Sequence, residues 1–231
     1  MSPIPKLVLF LSFLTTPSLA EDNYLSVGVG SSTFEVDGWA YVDGLGNDIA
    51  LDTLSSASLS GPQVSYSGGL TDNYNYGLSY STMEGDGVQR DEISISLMRS
   101  FTPSLSGAVG IYQSNTDISS AILLHSSDVA IDNSSLFVAL QTGFPLGQNA
   151  SGFARLSYQM GNADVSSAGY KSETEPSGTA FSFGGVMPLG VNRFFELTYD
   201  IKDIEYVPAQ SSGGDPEEDF TTLRASLGMT F

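Results

Sequence analysis

The chain of 231 residues has no cysteine, one histidine and few basic residues. Without cysteine it forms no disulfide scaffold, thiolate metal site or cysteine nucleophile. Because His125 is the only histidine, any site that needs two imidazoles from one chain is excluded. Eight Lys and Arg stand against 26 Asp and Glu, a formal net charge of -18. Such a surface does not neutralise the phosphates of a nucleic acid, so we expect no nucleic-acid partner.

Long hydrophobic runs are also missing. Lys6 precedes an apolar run over 7–14, and small residues at Ser18 and Ala20 are typical of a signal-peptidase site. That run is shorter than the roughly 20 residues a helix needs to span a bilayer. We therefore expect a cleaved secretory signal peptide over 1–20. Residues 21–231 are then one exported domain, a length that a single β barrel reaches.

In the rest of the chain, apolar and small or polar residues alternate with a period of two. Large apolar residues occupy every second position, and Ser, Gly, Ala or Thr fill most of the positions between them. The ten predicted strands lie at 25–30, 64–70, 74–81, 93–98, 105–111, 135–140, 153–160, 181–187, 195–202 and 223–231. Small residues on one face leave a roomy interior, and the large ones then face lipid, where only a helix or a closed barrel satisfies every backbone group. The pattern predicts an all-β, closed, antiparallel up-and-down barrel of ten strands, with eight as the alternative.

The connections alternate in length. Short ones at 71–73, 102–104, 145–149 and 189–193 contain turn-forming residues. Long ones at 35–60, 84–91, 113–133, 161–178 and 207–219 hold nearly all the acidic residues. Short periplasmic turns and long extracellular loops are typical of an outer-membrane barrel. The predicted acidic extracellular rim comprises Asp37, Asp43, Asp48, Glu84, Asp86, Asp215, Glu217, Glu218 and Asp219.

Aromatic residues on the apolar face lie beside the short turns or the C-terminus. We expect them to form a girdle at the periplasmic interface, where amphipathic rings prefer to lie. Its members are Tyr74, Tyr76, Phe101, Phe144, Phe195 and Phe231.

The last strand ends in Phe231, with Met229 and Leu227 at the alternate positions before it. This stretch resembles the C-terminal signal of bacterial outer-membrane β-barrel proteins, the small porin-like and OmpA-like barrels included. The resemblance implies a place in the outer membrane of a Gram-negative cell envelope, contact with its lipid and lipopolysaccharide, and recognition of these three residues by the barrel-assembly machinery. The class contains pores, adhesins, structural barrels and a few enzymes, so the resemblance narrows location more than function.

Five charged residues fall on the predicted lumen face: Arg155, Glu196, Asp200, Lys202 and Arg224. Because the ninth and tenth strands are neighbours, Glu196 or Asp200 can pair with Arg224, either as a stabilising ion pair or as a constriction that selects ions. A small-residue lumen with an acidic mouth favours a non-enzymatic, narrow passive channel that prefers small cations. The alternative is a structural or surface-interaction barrel with a plugged lumen and ligand-binding loops.

A hydrolase at the rim is a third hypothesis, since His125 lies near Ser126 and Asp128. Adjacent residues of a strand point to opposite faces, so His125 and Ser126 would not converge. We expect no catalytic site, no cofactor and no metal site. The stretches 43–48 and 84–87 carry residue types that Ca²⁺ binds, but neither matches a full calcium-loop pattern.

Overall fold

The computed structural model describes residues 23–37, 40–42, 48–50, 56–123, 127–167, 170–208 and 217–231, so the predicted signal peptide lies outside the described residues. The strands are β1 (Tyr24–Asp37), β2 (Ala40–Val42), β3 (Asp48–Ala50), β4 (Ala57–Thr71), β5 (Tyr74–Gly85), β6 (Val88–Thr102), β7 (Leu105–Ile118), β8 (Val129–Pro145), β9 (Ser151–Ser167), β10 (Tyr170–Pro188), β11 (Arg193–Pro208) and β12 (Glu217–Thr230). A four-residue helix, α1 (Ser120–Leu123), lies between β7 and β8. No described helix is both long enough and apolar enough to cross a membrane.

Ten of these strands form a closed antiparallel barrel, and β2 pairs separately with β3. Each barrel strand pairs with the next one along the chain, and β1 closes the ring by pairing with β12 from Tyr24↔Thr230 to Asp37↔Glu217. All ten predicted strands lie within these elements, apart from Phe231 just after β12. The prediction of a ten-stranded up-and-down barrel is therefore confirmed, and the eight-stranded alternative is wrong.

Near the short turns, the outer face of the wall is apolar and the inner face is small and polar. The exposed side chains there form a belt of Val27, Val29, Ile95, Leu97, Val109, Ile111, Leu136, Val138, Leu140, Leu156, Met160, Phe181, Leu197, Leu223 and Leu227. The buried positions between them include Ser26, Ser65, Ser79, Ser96 and Ser226. A continuous apolar belt of this size matches the hydrocarbon of a bilayer rather than water.

Farther from the short turns the two faces exchange character. The outer face there carries the charged side chains Glu35, Asp91, Asp132, Asp164, Asp203, Glu205 and Asp219. The inner face is packed with buried apolar side chains: Phe34, Val36, Leu59, Met83, Val88, Ile118, Val129, Ile131, Val165, Ile204, Tyr206 and Phe220. The same strands therefore run from a segment suited to lipid into a segment with the polar exterior and dry core of a water-soluble barrel.

Two of the predicted long loops are strand hairpins instead. At 84–91, β5 ends at Gly85 and β6 begins at Val88, and the two residues between them, Asp86 and Gly87, have φ of 47° and 78°. Left-handed backbone at both central residues is the geometry of a tight type I′ turn. At 161–178, β9 continues to Ser167 and β10 resumes at Tyr170. The prediction treated acidic residues as loop residues, whereas in these two segments all of them except Asp86 lie on the outer face of extended strands.

Aromatic rings inside the barrel lie on glycines of the neighbouring strand. Phe194 covers its register partner Gly228, where an added Cβ would lie 2.0 Å from the ring atom Cζ. Phe153 covers Gly184 and Phe137 covers Gly110 in the same way, with the ring atoms 2.7 Å from the position of such a Cβ. The absent side chain lets each ring lie along the wall, so the rings fill the interior from its sides.

We expect Gly228→Ala to destabilise the barrel by about 1–3 kcal/mol, because its methyl group displaces the Phe194 ring from a packed interior. Gly30→Ala is the matched control, since its added Cβ would meet nothing nearer than Sδ of Met83 at 3.5 Å. Guanidinium unfolding of the refolded proteins measures the difference. Equal stability of the two variants would contradict the packing role of Gly228.

Candidate functional site

A cluster of charged side chains crosses the interior of the barrel, with Glu92 of β6 at its centre. On its own side of the barrel, Nε of Arg90 lies 3.0 Å from Oε1 of Glu92, and the Tyr112 hydroxyl donates to the same oxygen at 2.6 Å. From the far wall, Nζ of Lys202 lies 3.9 Å from Oε1, and Nη2 of Arg224 lies 3.8 Å from Oε2. Four strands separate β6 from β11 in either direction around the ring, so the Lys202 pair spans the full width of the lumen.

A second carboxylate, Glu218 of β12, completes the cluster from the other side. Its Oε2 lies 3.5 Å from Nη1 of Arg90 and accepts a hydrogen bond from the Tyr206 hydroxyl at 2.7 Å. The Arg90 guanidinium also donates to Thr116 at 2.5 Å and to Tyr112 at 2.9 Å. Arg90 is 1% exposed and Glu218 is 0% exposed, so these two side chains are closed off from water.

Aromatic rings cover the cations of the cluster. Nζ of Lys202 lies 3.7 Å from the centroid of the Tyr112 ring, and Cζ of Arg90 lies 4.0 Å from that of Phe220. Cζ of Arg155 lies 5.6 Å from the centroid of the Phe137 ring. These cation–π contacts partly replace the water that the cations lose on burial.

The five lumen residues that the sequence singled out all point into the barrel, but their pairing is selective. Nη1 of Arg224 lies 3.4 Å from Oδ2 of Asp200. Glu196 instead accepts hydrogen bonds from the hydroxyls of Thr198 at 2.9 Å and Ser226 at 3.1 Å. Of the two candidate partners for Arg224, the structure therefore brings Asp200 within ion-pair distance.

The described interior is electrically balanced. Its four cations are Arg90, Arg155, Lys202 and Arg224, and its four carboxylates are Glu92, Glu196, Asp200 and Glu218. A balanced, paired cluster is the arrangement a low-dielectric interior tolerates, because an unpaired buried charge is costly. The negative charge of the protein therefore lies outside this cluster.

Glu218 does not belong to the acidic rim, where the sequence placed it. Glu218 is a residue of β12, in which the pleat turns Glu217 and Asp219 outward and Glu218 inward. Glu84 and Asp86 are exposed, at the turn between β5 and β6. Asp43, Asp215 and His125 lie outside the described residues, as do the side chains of Asp37 and Asp48.

Sequence reasoning missed Arg90 and Tyr206 of the cluster, and it assigned Glu92 and Glu218 to the acidic rim. It named Tyr112 only as a side chain that would fill a plugged lumen. The signal was present in β6, since Val88, Arg90 and Glu92 continue the inward parity of Ser94 and Ser96. Extending the predicted strands by one to five residues at the same parity would have brought these residues inside.

The aromatic residues predicted as a girdle lie at the short-turn end. Phe101, Phe144 and Phe231 are exposed, as are Leu227 and Met229 of the predicted assembly signal. The hydroxyls of Tyr66 and Tyr76 are 3.0 Å apart, and the Tyr66 ring lies 6.3 Å from that of Phe231. Tyr66 therefore extends the predicted set around β4.

A small cavity of about 150 Å³ adjoins the charged cluster. Side chains around it include Arg155, Asp200, Arg224, Phe137 and Phe153. This space has room for a few water molecules. Among the described residues, no three His, Asp or Glu side chains are placed to hold a metal ion.

No protein-family model matches the chain, and no curated protein matches it in sequence. Solved structures do. The chain is similar to the outer membrane protease OmpT from Escherichia coli, with 8% identity, a TM-score of 0.58, and coverage of 95% of this chain and 99% of OmpT. It is also similar to Neisserial surface protein A, with 11% identity, a TM-score of 0.40 and coverage of 90% and 97%. A third similar structure is Ail, the attachment invasion locus protein of Yersinia pestis. Its identity to this chain is 12% and its TM-score 0.36, with coverage of 91% of this chain and 99% of Ail. The likeness to OmpT shows that the chain has the fold of an outer-membrane β-barrel.

We expect Glu92→Gln to lower the free energy of unfolding by about 3–5 kcal/mol, because it leaves Arg90, Lys202 and Arg224 facing a neutral amide inside the barrel. Guanidinium unfolding followed by tyrosine fluorescence measures the loss. Asp164→Asn, which breaks the exposed 2.7 Å pair with Lys171, is the control, and its expected cost is under about 1 kcal/mol. A Glu92 variant as stable as the control would show that the cross-lumen pairs contribute little.

Proposed function

We propose that the protein is a non-enzymatic, closed barrel of the bacterial outer membrane, which acts as a structural or surface-interaction protein and not as an open pore. The observation that carries this proposal is the set of ion pairs from Glu92 to Lys202 and Arg224. These pairs join opposite walls of the barrel, so the side chains occupy the space through which an ion would have to pass.

Burial supports a closed lumen on the side of the cluster away from the short turns. Side chains that line a water-filled channel are accessible to water. Here Phe34, Ile204 and Tyr206 are 0% exposed although they point inward, and they belong to the apolar core that fills that end. The passive cation-preferring channel predicted from the small-residue lumen requires this core to be absent or displaced.

The outer surface supports a place in the outer membrane. The apolar belt provides the lipid contact, and the acidic wall beyond it provides a hydrated surface on the extracellular side. The C-terminal strand presents Leu227, Met229 and Phe231 outward, where the assembly machinery and then lipid would contact them. We place contact with lipopolysaccharide on the apolar belt, and interactions with small cations or other partners on the acidic wall.

The proposal is non-enzymatic because the reactive side chains of the cluster are paired and enclosed. Glu92, Arg90 and Glu218 are buried among hydroxyls and rings, out of reach of a substrate. The rim hydrolase hypothesis depends on His125, which lies outside the described residues. OmpT is a protease by its name, and its likeness to this chain at 8% identity concerns the fold alone.

Planar-bilayer recording of the refolded mature protein in a KCl gradient tests the closed barrel. We expect no discrete conductance steps, because the cross-lumen pairs and the apolar core exclude a column of water. Heat-modifiable migration on a gel and protection from protease in liposomes confirm that the same preparation is folded and inserted. Discrete steps with a reversal potential of cation sign would overturn the closed barrel in favour of the channel.

A further inference from the structure

The basic residues of the chain are distributed unevenly. Lys6 lies in the predicted signal peptide, four others point into the barrel, and Lys171 pairs with Asp164 far from the short turns. Arg99 and Arg193 remain, both exposed and both at the short-turn end of the wall. They lie on β6 and β11, on opposite sides of the barrel. The outer surface therefore carries its two unburied strand arginines at this end, while the opposite end is acidic.

Arg99 is held in a frame of aromatic rings. Its register partner on β5 is Tyr74, whose ring centroid lies 5.5 Å from Cζ of Arg99. The ring of Phe101, which is 55% exposed, lies 5.8 Å from the same atom. Among the described residues, no carboxylate lies within ion-pair distance of this guanidinium.

Local backbone geometry places the second ring. The pairing of β6 with β7 shifts register between Ser100 and Thr102, so Phe101 is the extra residue of a β-bulge. Its ring lies over Gly107, the register partner of Arg99 on β7, where an added Cβ would be 2.9 Å from the ring. The glycine makes room for the ring beside the arginine. Arg99 therefore has an oriented guanidinium, held in an exposed frame on the lipid-facing surface.

We propose that Arg99, framed by Tyr74 and Phe101, binds the phosphate of an anionic phospholipid headgroup in the inner leaflet of the membrane. This inference rests on the membrane placement in the proposed function. A guanidinium presents parallel N–H donors that match a phosphate, and aromatic rings prefer the depth at which headgroups lie. The acidic wall at the other end of the barrel repels anionic headgroups, so we expect them to bind only at the short-turn end.

Native mass spectrometry of the detergent-extracted barrel, equilibrated with equal amounts of phosphatidylglycerol and phosphatidylcholine, tests this site. We expect the wild-type protein to retain phosphatidylglycerol preferentially, and Arg99→Gln to lower that retention about fivefold, the effect of roughly 1 kcal/mol per interfacial cation. Tyr74→Leu keeps the charge and loosens the frame, so an intermediate loss is expected. Arg193→Gln is the matched control, because it removes the other exposed arginine of this end, for which no ring contact is found among the described residues. We expect it to lower retention less than Arg99→Gln does.

Two results would overturn the inference and leave the closed barrel intact. One is equal phosphatidylglycerol retention by the wild type and a folded, heat-modifiable Arg99→Gln variant. The other is displacement of the lipid by an equimolar amount of inorganic phosphate, which would make the ligand a free anion. A wild-type protein that neither migrates as a heat-modifiable band nor inserts into liposomes would instead remove the proposed function, and this inference with it.

Discussion

The ion pairs between Glu92 and the far wall link strands of this barrel that share no backbone hydrogen bonds. A carboxylate in a dry interior is stable only with charged or hydrogen-bonding partners close to it. Glu92 has two such partners on its own side of the barrel, Arg90 and Tyr112, and Lys202 and Arg224 reach it from across the lumen. Because these partners cross the ring, they also fix the distance between strands that share no backbone hydrogen bonds.

The rest of the interior is arranged around this cluster. On one side lies the apolar core of Phe34, Ile204 and their neighbours, and on the other lie the rings of Phe137, Phe153 and Phe194 on their glycines. The equal numbers of cations and carboxylates let the charged layer exist beside an apolar core. Removing one charge would leave its partners without compensation in surroundings that cannot solvate them.

The sequence was sufficient to locate the strands, because alternation with a period of two is recognisable in a strand of any length. It located all ten barrel strands, the four short turns and the direction of Arg155 and Lys202. It was insufficient where composition replaced periodicity: clustered acids suggested loops, whereas Glu218 is an inward-facing strand residue with 0% exposure. The sequence did not predict the contact between Glu92 and Lys202, which lie 110 positions apart in the chain. The residues that meet across a barrel depend on the stagger of the strands as well as on their number.

Along the strands, the apolar side chains change from the outer face to the inner face. One alternating pattern therefore suits two environments. In the proposed membrane placement, the large residues near the short turns face hydrocarbon, and the bilayer removes them from water. Farther along the strands, the large residues face one another, and the barrel itself removes them from water. An acidic outer wall then suits the hydrated segment, because its charges are solvated and repel other copies of the chain. With its described interior filled by paired charges and apolar side chains, the barrel has the outer surface of its wall available for contact with other molecules.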